Sequence, residues 1–451
     1  MLRSTKNKIN QNPFLLFSPF FLLYIVLVLK FQVNIFTGDE IRHVYFANNL
    51  LKGFYSPPSP HINLGVGPGY PIIIAPFLAL HLPYLFIKSL NALFYYLSII
   101  FLFKSLRQFV SFRKTILVCL FWGCYYVMFT YLFFMLTEIL TMLLVTMLIF
   151  CIIKAFGSQD RRRTKKYIVL AGLVMGYLAL TKLVFGYVIL GMLMGSGVLW
   201  LIKRGVENYR RGLLIAAIAL GTTAPYLVYT YHLTDRIFYW GTLAGNNLYW
   251  MSSPSVNEYG TWFPDLAKDS LVQKSNPLIA MDIRRIFIPG AEDSLKLYHQ
   301  QDFNEIYQYD NEIYQYDDGV KLDDAFQRIA QRNIKSHPLK YLQNCVSNVG
   351  RMLFGYPNSY MIQKPGDLVR LLPNGIIAVL SLFCLLPTLR NWRKISYSIR
   401  YMLFFTAIYL GGSVLGSAEI RMFGVITPVI LLWILYIAQK SVRVNLDFYA
   451  E

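Results

Sequence analysis

Six ionisable side chains stand where this sequence is otherwise apolar: Asp39, Glu40, Glu138, Lys182, Glu419 and Arg421. Asp39 and Glu40 lie just past the first long apolar run, in TGDEIRHVYFANNLLKGFYS. On a helix, His43 would share the face of Asp39 at i+4 and of Glu40 at i+3. Glu138 opens an apolar run in FFMLTEILTMLL, Lys182 sits between two runs in YLALTKLVFGY, and Glu419 and Arg421 stand in GSAEIRMFGVITP. A carboxylate within hydrogen-bond reach can take the proton of an attacking hydroxyl. Shielding from water, or a second acid nearby, raises its pKa towards the working pH. Cations placed beforehand stabilise a phosphate that gains charge as it leaves. Plainer roles also exist. Asp39 and Glu40 suit the N-terminus of a helix, where the dipole favours anions. Lys182 and Arg421 could snorkel from helix ends to a membrane interface. Ionisable groups at membrane depth are costly unless paired or functional, however. Acids and bases gathered on one membrane face would suit a substrate with an attacking hydroxyl and a phosphate.

The elements that must position them are membrane helices. Of 451 residues, 55% are hydrophobic and 15% charged, whereas soluble domains carry about 25% charged residues. Such a chain needs a bilayer as solvent. Ten apolar runs reach or approach the length of a span, near 14–33, 84–103, 115–132, 138–154, 167–181, 183–202, 212–231, 371–389, 398–416 and 421–439. No small-residue cleavage site ends the first, which reads as a retained helix. A further stretch, 70–82, is short and carries Pro71 and Pro76, as a re-entrant or interfacial segment would. The fold class expected is an all-α polytopic membrane protein, with about ten transmembrane helices, the re-entrant segment and one mixed outer loop domain.

Orientation follows from Lys and Arg. Clusters begin at Arg3, Lys104, Lys154, Lys203, Arg390 and Lys440. With ten spans all fall on one side, which the positive-inside rule makes cytoplasmic; an eleventh span at 70–82 would throw the later clusters outside. The net charge of +19 resides in these clusters, so nucleic acid is not the expected partner. The five cysteines are odd in number and form no CxxC pair, which supports neither a disulfide framework nor a zinc ribbon.

Three regions follow: a membrane module at 1–231 with a first outer loop at 34–69, an outer loop domain at 232–370, and C-terminal helices with a cytoplasmic tail at 371–451. In the first outer loop Ile41, Tyr45, Ala47, Leu50 and Leu51 can share one flank of an amphipathic helix on the membrane surface. Gly65, Gly67 and Gly69 lack the strand–loop–helix context of a phosphate cradle. In the long loop, 322–354 reads as helix broken at Pro338. The heptad NEIYQYD occurs twice in tandem at 304–317 and reads as a small surface duplication.

The DE pair with ANNLLKGFYS, then GPGYPIIIAPFLAL, TEILTMLL, LALTKLVFGYVIL, SHPLKYLQN and EIRMFGVITPVILL together resemble the GT-C superfamily of membrane glycosyltransferases. The likeness is to bacterial members akin to protein O-mannosyltransferases and lipid A aminoarabinose transferases, that is, glycosyltransferase family 39. It implies transfer of a sugar from a polyprenyl-phosphate donor to a glycan, lipid or protein acceptor, at the outer face of a bacterial inner membrane and with inversion at the sugar carbon. It implies Asp39 as general base with Glu40 as neighbour or substitute, Glu138 as the second-loop acid, and Lys182 and Arg421 on the carrier phosphate. His43, Tyr45 and Glu419 join them as substrate-side candidates. The sequence departs from the family pattern at Lys182, often Arg, and at Met422 and Phe423, where Tyr usually accompanies the Arg. A divalent metal on Asp39, His43 and Glu138 is left open, because some relatives use one and others none. Two other functions handle the same lipids. A transporter or flippase is disfavoured because hydropathy does not repeat between the halves; a polysaccharide polymerase or ligase stays open.

Overall fold

The computed structural model describes residues 12–32, 36, 38–203, 206–261, 286–287, 299, 301–302, 305, 318–362 and 368–441. The tandem heptad lies outside them, apart from Glu305.

The apolar runs between polar turns become helices. After a capped turn at Pro13–Leu16 come α1 (Ser18–Phe31) and α2 (Gly38–Leu51), then the short α3 (Gly69–Ala79) and the long α4 (Tyr84–Leu106). α5 (Phe112–Gly123) continues at an angle into a 3-10 helix, Tyr126–Phe133. α6 (Glu138–Gly157), α7 (Arg161–Thr181), α8 (Val184–Ile202) and α9 (Glu207–Thr234) follow. The long loop contributes α10 (Ala244–Met251), α11 (Gly319–Ser336) and α12 (Pro338–Phe354). It also holds two two-residue strands, β1 (Ile286–Phe287) and β2 (Met361–Ile362), paired antiparallel. α13 (Leu368–Arg390), α14 (Tyr397–Gly416) and α15 (Ile420–Ser441) end the fold.

Among the described residues seven helices are long and apolar enough to cross a bilayer: α4, α6, α8, α9, α13, α14 and α15. An eighth results if α5 and the 3-10 helix, bent by 48°, form one span. Helices occupy all ten expected runs, but two fall short as spans by length and composition. α1 has 14 residues, about 21 Å at 1.5 Å per residue. α7 spends its first six residues on RRRTKK, which leaves a short apolar remainder. α3, with 11 residues, covers about 16 Å and is too short to cross. The chain is an all-α polytopic membrane protein.

The bundle has a polar bond pattern at one end that matches the basic clusters. Lys154 Nζ donates to Gln108 Oε1 at 2.8 Å, Arg211 Nη1 to the Ala155 carbonyl at 2.9 Å, and Lys114 Nζ to Gln439 Oε1 at 3.0 Å. The turn after α4, the last turns of α6 and α15 and the starts of α5 and α9 therefore meet at that end. Burial ranks the helices from centre to rim: the apolar window of α6 is 78% buried and that of α15 72%, against 22% for α13. α13 turns Leu382, Phe383, Leu386 and Leu389 outward, the side that lipid covers.

In the long loop the expected break falls at His337, with Pro338 as the first residue of α12, the position where its missing N–H costs nothing. Asp318 caps α11 by accepting from Val320 N. α10 packs on α11 through Tyr249, Phe326 and Ile329. Asp323 of α11 accepts from the Gly245 N–H at 2.7 Å. Burial raises its carboxyl to about 6, against the pull of the Gly245 and Asn246 N–H groups; an unfolded Asp titrates near about 3.9. Between those values the folded form binds the extra proton, so stability falls as pH rises through that window. Hydrogen exchange of the α10 amides, corrected for intrinsic rate, is therefore expected to be faster at pH 7 than at pH 4, and Asp323→Asn should flatten the difference.

Arg351 of α12 is 1% exposed. Its guanidinium donates to the carbonyls of Ala418, Pro357 and Tyr259 at 2.9, 2.8 and 3.0 Å, and to the side chains of Thr261 and Asn348. It thus pins α12 and the residues at 259–261 to the turn that precedes α15.

Candidate active site

Glu138 is the first residue of α6, where the helix dipole favours an anion, and it is 1% exposed. Its Oε1 accepts from Lys182 Nζ at 3.1 Å and from Arg421 Nη1 at 3.3 Å. Its Oε2 has no protein partner. Lys182 caps the C-terminus of α7, the end that favours a cation. Arg421 is different. It is the second residue of α15, where the dipole opposes a positive charge. The carboxylates of Glu138 and Asp39 hold it there, with Asp39 Oδ2 3.5 Å from the same Nη1. Helix stability does not select that placement; the two ion pairs do.

Asp39 lies in the first turn of α2, and its Oδ1 is 3.1 Å from Arg42 Nη1. Its neighbours are guanidiniums. Glu40 turns the other way: it is fully buried, and its Oε1 accepts from the Met135 N–H at 2.8 Å. On α4, Lys88 feels the Glu40 charge. Asn91, one turn further on, donates Nδ2 to the carbonyls of Leu132 and Phe134 at 3.2 and 2.8 Å. The stretch that delivers Glu138 is therefore gripped from two sides. The adjacent acids divide their work, Asp39 facing the cations and Glu40 the backbone.

His43 is buried, with its ring 5.0 Å from that of Tyr70 and its Nδ1 without a protein partner. Burial lowers its pKa to about 4, against the charges of Asp39 and Glu138 that pull it up, so it is neutral at physiological pH. Tyr45 is not brought to this cluster. With Ile41 and Leu51 it lies on the exposed side of α2, while Phe46 and Ala47 pack inward. The expected apolar flank is thus split between two sides of the helix. Glu419 sits in the turn before α15, where its charge acts on both Arg351 and Arg421.

The donors do not fit a metal ion. Arg421 Nη1 already lies against both Asp39 and Glu138, supplying the positive charge an ion would bring. Among the described residues no three His, Cys, Asp or Glu side chains are grouped to hold one.

The glycine-rich return of the first outer loop has a packing role. A Cβ on Gly67 would stand 2.1 Å from the Leu180 carbonyl oxygen, and one on Gly69 2.7 Å from Thr181 N. Both contacts are with the backbone just before Lys182, which cannot turn aside as a side chain would. Gly67→Ala is expected to lower stability by about 3 kcal/mol or more, read as the unfolding temperature in detergent. An unchanged temperature would mean that the loop does not brace the end of α7.

Sequence reasoning missed Arg351, Asn91, Tyr70 and Tyr409. The tyrosines are lost among 33 in the chain. Arg351 carried one signal, a charge inside an apolar helix stretch followed by MLFG.

No protein-family model matches the sequence, and no curated protein matches it. Solved structures do resemble the fold. The archaeal oligosaccharyltransferase AglB from Archaeoglobus fulgidus, solved with an inhibitory peptide and a dolichol-phosphate, is 13% identical with a TM-score of 0.45. The alignment covers 93% of this chain and 50% of that one, so this chain spans about half the length of that enzyme. ArnT from Cupriavidus metallidurans, bound to undecaprenyl phosphate, is 13% identical with a TM-score of 0.39, over 92% of this chain and 77% of that one. Likeness of this degree leaves the chemistry to be argued from the side chains.

Proposed function

We propose that this protein transfers a sugar from a polyprenyl-phosphate carrier to an acceptor hydroxyl. The observation that carries the reading is the meeting of Asp39, Glu138 and Lys182 around Arg421. A base and two cations thus stand at one point of a membrane bundle. Asp39 takes the acceptor proton as the acceptor oxygen attacks the anomeric carbon. The bond from that carbon to the phosphate oxygen breaks, and the carrier phosphate leaves with the electron pair. Arg421 and Lys182 hold the charge it gains. Attack opposite the leaving group inverts the sugar carbon. Glu138 keeps both cations in place between turnovers. The basic clusters gather at the other end of the bundle, which by the positive-inside rule supports a site on the outer face of the membrane, in a bacterium the periplasmic side.

The test is transfer in reconstituted vesicles, using a set of labelled undecaprenyl-phosphate sugars and a cell-envelope extract as acceptor. Label is expected to leave the lipid for an acceptor, with release of undecaprenyl phosphate. Passage of the labelled lipid across the bilayer without transfer would sink the proposal in favour of a flippase.

A further inference from the structure

Tyr70 and Tyr409 are 1% and 0% exposed, and neither hydroxyl has a hydrogen-bond partner in the protein. His43 Nδ1 and Glu138 Oε2 are alike in this respect. A buried polar atom without a partner is destabilising, and native proteins hold few of them. These four are not scattered, because the charge of Glu138 acts on Tyr70, His43 and Tyr409 alike. Both tyrosines are tied to the turn of Lys182. Tyr70 follows Gly69, which packs on Thr181. Tyr409 stacks on Phe185 at 4.5 Å and 3°, and the Phe185 N–H donates to the Lys182 carbonyl at 3.0 Å. Glu138 joins this buried floor to a more exposed rim, because its Oε1 meets the Lys182 and Arg421 side chains, which are 15% and 24% exposed.

The chemistry of the floor differs from that of the rim. A free carboxylate oxygen repels a phosphate but accepts from a hydroxyl. Phenol hydroxyls donate and accept, and a neutral imidazole offers one of each. We propose that Tyr70, His43, Tyr409 and Glu138 Oε2 form a subsite for the ring hydroxyls of the donor sugar, beneath the cations that take the carrier phosphate. The proposal rests on the transferase reading above and adds to it the class of group that this floor recognises. The sugar reaches it through the rim, parting the two tyrosine side chains.

The test compares binding of undecaprenyl phosphate alone with binding of the same lipid bearing glucose, mannose, galactose or N-acetylglucosamine, to protein in nanodiscs. Wild type is expected to prefer at least one sugar-bearing lipid over the bare one by about tenfold or more. Tyr70→Phe and Tyr409→Phe keep the ring and remove the hydroxyl. Each should lose that preference while still binding the bare lipid like wild type. Melting temperatures should stay level or rise, since an unpartnered hydroxyl leaves the core. Retained preference in both variants overturns the subsite, as does equal loss of both lipids, which would move the hydroxyls to the phosphate. A lower melting temperature alongside lost binding also overturns it, by making the hydroxyls structural. Wild type without any sugar preference overturns it too. The transferase reading fails separately if wild type binds none of these phospholipids better than undecaprenol, and the subsite falls with it.

Discussion

Asp39→Asn is expected to cut sugar transfer by about 10²- to 10⁴-fold and to leave binding of the donor lipid near wild type. The amide keeps the size of the side chain but cannot take the acceptor proton. Arg421 keeps its contact with Glu138, so the cation stays in place and the fold is not asked to bury a lone charge. The measurement pairs initial transfer rates in vesicles with lipid binding on the same preparation. Full activity in this variant would assign the base elsewhere. Glu40→Gln makes the contrast. Glu40 holds the Met135 N–H and faces Lys88, so its loss should appear as a lower melting temperature with an unchanged pH profile of the remaining activity.

Arg421→Ala removes the charge against which, in the proposed reaction, the carrier phosphate leaves. The expected loss is about 10²- to 10³-fold in turnover at saturating donor. Lys182 still holds Glu138 Oε1, so the buried carboxylate is not orphaned and the protein should survive purification. Arg421→Lys should recover part of the rate, since it returns the charge without the planar fork that grips two oxygens at once. Activity within about twofold of wild type in the alanine variant would show that the phosphate is held by other groups.

The spans were legible because a bilayer demands long apolar stretches, and the break at Pro338 because proline cannot donate within a helix. The gathering of Asp39, Glu138, Lys182 and Arg421 followed from charge topology, since each stands at a helix end on the same side. The division of labour between Asp39 and Glu40 was not legible. Adjacent residues on a helix point about 100° apart, and what waits on each side is a tertiary fact. Tyr45 was a substrate-side candidate through the resemblance, yet six residues along a helix turn it to another face than Asp39. Gly67 and Gly69 lacked the context of a phosphate cradle, and what the sequence did not show is that the neighbour they admit is the backbone of α7.

α6 and α15 carry Glu138 and Arg421, and they are the spanning helices most enclosed by protein. A bilayer that thickens or thins acts first on helices that touch its acyl chains, which tilt or shift to match it. Here that adjustment falls on helices such as α13, while the ion pair rides on helices whose neighbours are other helices. The height of these charges is thereby referenced to the interior of the protein, and the membrane around it is free to vary.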